Sequence, residues 1–415
     1  MRISCFFAVV WMGVLGAGAL MAPLPTQAQT PRPTAYTAAG DSASDPAARY
    51  PEASILSDRF VRTEGQRGLN LLYNMQFEPA KAIFDEISRR YPDHPVAPFL
   101  KGLNIWWNEI MLNLPNTAHD AAFFAAMDEV VARCDAILED DPNDLDALFL
   151  RGAALGFRAR LHSNRANWFK AILDGKRAIG DVRQVGQLAP SNPDYVFGKG
   201  MYDYYAAIIP ENYSFAKAVM FFLPDGDRER GLQQLKMAAR NGQFIQTEAV
   251  YFLLQVHYLY EKDFARSRRY ASWLREQHPD NPYFHSYEGR VYLRWGRWNA
   301  ATRIFESILE RYQAQQAGYN AFFAEQALYF IARDRMRTDA YEEALDYLVK
   351  LEALTAGATS ESPYGTLGRL RQGMAYDALG KRAAAEHRYR QVLEMEDVNN
   401  SHERAERYLQ APYDG

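Results

Sequence analysis

Residues 68–95 read "GLNLLYNMQFEPAKAIFDEISRRYPDHP", and the spacing inside this stretch decides the fold. Gly68, Ala80, Phe84 and Pro92 stand at gaps of twelve, four and eight. Gly289, Ala301 and Phe305 repeat the twelve and the four, and so do Gly373, Ala385 and Tyr389. Gly102 lies 34 residues after Gly68. A small residue at Gly68, Gly102, Gly289 and Gly373 lets the first helix of a pair approach the second closely. Ala80, Ala301 and Ala385 do the same from the second helix. Phe84, Phe305 and Tyr389 fill the space between neighbours. Pro92 and Pro279 end second helices, because proline cannot continue them. Each pair leaves one face bare, so pairs must stack into a solenoid.

The pattern resembles the tetratricopeptide repeat, a helix–turn–helix unit with small residues at two fixed points and a closing proline. The resemblance covers roughly residues 60–410. It implies an all-α, right-handed superhelical solenoid of about eight helix pairs, with a closing helix over 401–410. "YEGRVYLRWGRWNAATRIFESILERY" and "GMAYDALGKRAAAEHRYRQVL" are further good copies, and "EQALYFIARDRMRTDAYEEALDYLVKLEA" is another. "YFLLQVHYLYEKDFARSRRYASWLREQHPDNP" fits with Gln255 and Ser267 at the small positions. The units from Gly102 to Pro142, Gly152 to Pro190 and Gly200 to Gly242 are stretched, so several helices should be lengthened. A repeat of this kind speaks for fold and is nearly silent on function. The block at 198–244 looks like one in bacterial exported repeat proteins of unassigned role. It is faintly similar to the Iml2-like repeat family. The stretched repeats also resemble the periplasmic T-component of TRAP-type uptake systems. Neither similarity carries residue roles over.

The first 28 residues follow the grammar of a secretory signal peptide. Arg2 is followed by an apolar run from Ile3 to Ala22, and Thr26-Gln27-Ala28 offers small residues at the cut site. Cleavage after Ala28 is expected; the run is also long enough for an uncleaved anchor. Residues 29–55, rich in Pro, Ala, Ser and Thr, read as a flexible linker. The superhelix should occupy 56–410, with stretched repeats over about 60–245 and regular ones over about 246–410. Removal of the leader leaves Cys134 alone, so no intramolecular disulfide can form. A large exported chain without disulfides points to a bacterial periplasm, with no membrane span once the leader is gone. A net charge of −4 argues against nucleic acid as the main partner.

Asp225-Gly226-Asp227 looks chemical but lacks the alternating oxygen ligands and closing glutamate of a calcium loop. Arg228 and Arg230 would repel the cation, and no Lys-Ser or Lys-Thr completes a phosphate cradle. The stretch reads as a turn, with Asp227 capping a helix that Gly242 ends. His278 and His285 are separated by prolines and make a weak metal pair. Cys134 sits where good copies carry a packed aromatic, which suits a buried thiol. No catalytic or cofactor motif is found, so no enzyme activity, metal or cofactor is expected.

What remains is surface. In this repeat family the first helix of each pair lines a concave groove. In the register of the small residues, the groove positions hold Phe99, Trp106, Trp107, Phe149, Phe157, Phe197, Tyr204, Tyr205, Phe252 and Tyr260. Further along they hold Arg290, Arg294, Arg333 and Arg337. Aromatics and arginine dominate binding hot spots. One reading makes the stripe core, covered by the longer helices. The other makes it a binding surface, with "AAIIPENYSFAKAVMFFLP" as lid or wall. The chain is then expected to be a non-catalytic binding or scaffold protein that engages a protein partner. The alternative is a carrier for a small lipophilic or anionic ligand. An open trough favours protein, and a closed aromatic cavity favours the small ligand.

Overall fold

The computed structural model describes residues 50–51, 54–114, 116–212, 224–356 and 362–415. The leader, most of the linker, and residues 213–223 of the expected lid lie outside the described residues. Among those described, the chain is all-α: seventeen α-helices, a short 3-10 turn at Ile55–Ser57 and a π turn. They form eight helix pairs and a closing helix, and each helix packs chiefly on its neighbours in the chain.

Along the described chain two compact units divide between Pro279 and Asp280. The first holds five pairs: α1 (Arg59–Tyr73) with α2 (Phe77–Arg90), α3 (Val96–Ile105) with α4 (Asp120–Asp140), α5 (Leu145–Asn164) with α6 (Trp168–Leu188), α7 (Val196–Asn212) with α8 (Arg228–Asn241), and α9 (Gln246–Leu259) with α10 (Phe264–Gln277). The second holds α11 (Pro282–Arg294) with α12 (Trp298–Gln313), α13 (Ala321–Arg337) with α14 (Tyr341–Thr355), and α15 (Pro363–Ala378) with α16 (Arg382–Leu393). The closing helix α17 is Ser401–Gln410.

The packing follows the repeat register. A Cβ on Gly68 would meet the Phe84 ring at 2.5 Å, one on Gly289 the Phe305 ring at 2.8 Å, and one on Gly373 the Tyr389 ring at 2.4 Å. The partner is always the aromatic sixteen residues on. Ala80, Ala301 and Ala385 are fully buried beside them. In the stretched pairs the partner slips: Gly102 faces Met127, and Gly152 faces Val182. Longer helices move the contact down the helix without losing the close approach.

Asp227 caps α8, its carboxylate accepting from the Arg230 N–H at 2.9 Å. Gly226 does not serve a left-handed turn, as expected for a turn glycine. Its Cβ would stand 2.4 Å from the Ala207 nitrogen, so it is small because α7 passes against it. Cys134 is buried on α4, and burial pushes its thiol up to about 12, which keeps it protonated and packed.

The first unit closes on itself. The Tyr73 hydroxyl on α1 donates to Glu248 of α9 at 2.9 Å, and Asn74 reaches the Gln277 carbonyl at the end of α10. Residues ahead of α1 lie across later pairs as a strap. Ser54 Oγ and the Ile55 N–H both donate to Asp146, which also accepts from the Tyr195 hydroxyl. The Tyr50 hydroxyl donates to Asp194, which also accepts the backbone N–H groups of Gln243, Phe244 and Ile245. The fifth pair is thereby tied to the first.

Candidate functional site

This closure turns the concave face of the first unit into a cavity of about 170 Å³. Residues from α1, α3, α5, α7 and α9, the leading helices of all five pairs, line it, and α6 adds Ile179 and Val182. The side chains are there because the leading helices are apolar on more than one face. Only Arg160 and Glu248 bring charge to the lining.

Six of the predicted groove residues line this cavity: Phe99, Phe149, Phe157, Phe197, Tyr205 and Phe252. They interlock edge to face. Phe99 meets Phe157 at 6.3 Å between ring centres, and Phe197 meets Phe252 at 5.4 Å. Phe99, Phe149, Phe157 and Phe197 are only half-buried. The other four predicted aromatics stand behind the lining. Trp106 is fully buried against Phe123 and Phe157. Trp107 packs its edge on Tyr73. Tyr204 is fully buried and donates to Glu261 at 2.6 Å, and Tyr260 meets the Tyr205 ring.

Trp106 and Trp107 open a π turn, Trp106–Ile110, where the Met111 N–H reaches back to the Trp106 carbonyl at 2.9 Å. Such bulges rotate the side chains that follow them and mark functional stretches of helices. Trp106 lies under the Arg160 guanidinium, and the Trp107 side chain acts on Glu248. The polar pair of the lining was not legible in the sequence. Glu248 is half-buried and lines the cavity. Burial raises its pKa, while the Tyr73 hydroxyl, the charge of Arg160 and the Trp107 side chain act the other way. The Arg160 guanidinium lies over the Trp106 ring at 5.0 Å and contacts the Met111 sulfur at 3.8 Å. The arrangement is an apolar chamber with one acid and one base at its wall. Nothing in it resembles a nucleophile with its base.

The four predicted arginines belong to the second unit. Arg290 lies over the Tyr287 ring at 4.5 Å. Arg337 pairs with Asp334 at 2.9 Å and lies over Trp298. Arg294, on the last turn of α11, is half-buried. Arg333 is ringed by Trp298, Tyr329 and Phe330, with its guanidinium 5.4 to 5.8 Å from the three ring centres. Burial is the main cause that lowers its pKa, to about 10, so it stays charged at neutral pH.

Among the described residues no group of three or more metal-ligating side chains comes together, and no helix is long and apolar enough to cross a membrane. His278 is held by Asn74 and Thr247, and His285 by the Tyr319 hydroxyl.

No family model and no curated protein matches the chain in sequence. Solved structures match in outline, two among them over 85% of this chain. Human IFIT1, solved as a dimer with m7Gppp-AAAA, is 13% identical, with 85% of each chain covered and a TM-score of 0.45. The P58(IPK) TPR domain is 15% identical over 85% of this chain and 89% of that one, with a TM-score of 0.24. At these scores neither likeness bears on function, and the fold rests on this chain's own helix pairs.

Proposed function

We propose that the chain is a non-catalytic binding protein whose first unit holds a small apolar ligand. One observation supports this: six aromatic side chains of the leading helices line one apolar cavity. Small-molecule sites are concave and mostly apolar, with a few placed polar groups. The lining fits that description, with Arg160 and Glu248 as the polar groups. The expected export and cleavage after Ala28 extend the proposal to a periplasmic carrier.

A second reading, docking of a protein partner, has one observation in its favour. Phe169 and Leu173, one turn apart on α6, are 72% and 49% exposed. Side chains of this size and exposure mark contact surfaces when they cluster.

Native mass spectrometry of protein purified from its own cells separates the two. A released small molecule, lost when Ala153→Phe fills the cavity without lowering the melting temperature, supports the carrier. A bare mass from every preparation sinks it, and crosslinking through α6 then becomes the test of docking.

A further inference from the structure

The arginines of the second unit divide into two classes. Arg335 contacts Glu306, Asp334 and Glu343; Arg369 and Arg388 share Glu352; Arg382 pairs with Asp377 and Glu386. Arg333, Arg371 and Arg404 have no such partner among the described residues. Arg371 donates to the Tyr329 hydroxyl at 3.2 Å and touches the Met336 sulfur. Arg404 touches the Met374 sulfur at 3.7 Å. Arg333 has only the faces of aromatic rings.

These residues converge. They sit on α13, α15 and α17, successive leading helices and the closing helix of the unit. The guanidinium carbons of Arg333 and Arg371 lie 5.8 and 5.5 Å from the centre of the same Tyr329 ring. Arg404 lies close enough to act on both Arg333 and Tyr329. Arg333 is half-buried among the rings of Trp298, Tyr329 and Phe330. Asp334, next to Arg333 in the chain, is engaged with Thr302 and Arg337, and Asp377, on α15 with Arg371, is engaged with Arg382 and Tyr389. Enclosing a guanidinium without a counter-ion is costly, and two more of like sign make it costlier. Thioethers and ring faces offset only part of that cost.

We propose that this arginine cluster binds a multiply charged oxyanionic group, held by Arg333, Arg371 and Arg404 around Tyr329. The guanidinium fork matches carboxylate and phosphate oxygens alike. Three uncompensated positive charges favour a group carrying at least two negative ones, either a phosphate or a pair of carboxylates. The site lies in the second unit and shares no residue with the apolar cavity, so either can fail without the other.

Isothermal titration of the 29–415 chain with inorganic phosphate, pyrophosphate, succinate and acetate tests it, with thermal melts alongside. Saturable binding of phosphate or pyrophosphate is expected if the group is a phosphate, and of succinate if it is a dicarboxylate. Acetate should bind far more weakly in both cases. Arg333→Gln and Arg371→Gln should each weaken the best probe by on the order of tenfold or more. Arg337→Gln, which removes an arginine already paired with Asp334, should leave it unchanged. Without anion, Arg371→Gln should melt no lower than the parent, because it relieves repulsion. No saturable binding of any probe at millimolar concentration overturns the proposal. So does binding that survives both Arg333→Gln and Arg371→Gln, or an Arg371→Gln chain that melts well below the parent.

Discussion

Glycine at the contact positions is a packing choice, and the residues themselves show how to test it. Gly68 has no Cβ because the Phe84 ring stands 2.5 Å from where one would be. The ring is buried, so it has little room to yield. Gly68→Ala gains roughly 1 kcal/mol of helix propensity and loses about 1 to 3 kcal/mol to overpacking. The expected outcome is a lower denaturant midpoint. Gly180, on α6, would meet nothing within 4 Å, so Gly180→Ala should be neutral or stabilising by up to ~1 kcal/mol. Equal effects at the two sites would show that the sixteen-residue contact is not the one that matters. Trp106 makes a parallel case. It was read as a groove residue, but it is fully buried, so Trp106→Ala should cost about 3 to 5 kcal/mol in chemical denaturation. A cost under ~1 kcal/mol would return it to the surface class.

At the scale of elements, Tyr50 and Ser54–Ser57 form a strap that adds Leu56 to the cavity wall. Asp194 accepts three consecutive backbone N–H groups ahead of α9 besides the Tyr50 hydroxyl. Asp194→Ala orphans those donors at a cost of about 1 to 3 kcal/mol each where they stay buried. It should also free the strap, read as faster hydrogen exchange or proteolysis at 50–57 with the second unit unaffected. Unchanged protection there would mean the strap is held elsewhere. The pairs were legible because a small residue sixteen places before an aromatic is a local signal, and so was the cap at Asp227. The strap was not, because Tyr50 and Asp194 are 144 residues apart and each is unremarkable alone. Half of the candidate site was legible for the same reason. The register placed Phe99 and Phe252 on leading helices, but whether those helices face solvent or each other is set by closure. Glu248 and Arg160 carry no spacing that marks them.

Over the molecule as a whole, buried histidines set the response to acid. Burial lowers His94, His162 and His257 to about 4 and His278 to about 3, and all four lie in the first unit. The Asn74 amide lies 3.2 Å from His278 Nδ1, and the Thr247 hydroxyl lies 3.0 Å from Nε2. In the unfolded chain these rings titrate near 6.5. Their depressed values mean the unfolded state binds more protons at any pH below that. Their stabilisation is complete above about 6.5 and is lost as pH falls towards the folded values. Each of the fully buried three should lose roughly 1 kcal/mol between pH 6.5 and 5.5. Asp146, Asp174, Asp181 and Glu248 are raised by burial and bind protons more tightly in the folded state, so they act in the opposite direction. Their effect begins nearer the ordinary carboxylate range, below the window where the histidines dominate. Stability should therefore fall between pH 7 and 5, with the first unit losing hydrogen-exchange protection before the second. His278→Gln, which keeps a side chain able to bond Asn74 and Thr247 but cannot take a proton, should lower the slope of stability against pH. A flat or rising profile between pH 7 and 5, or first loss in the second unit, would remove the histidines from the account.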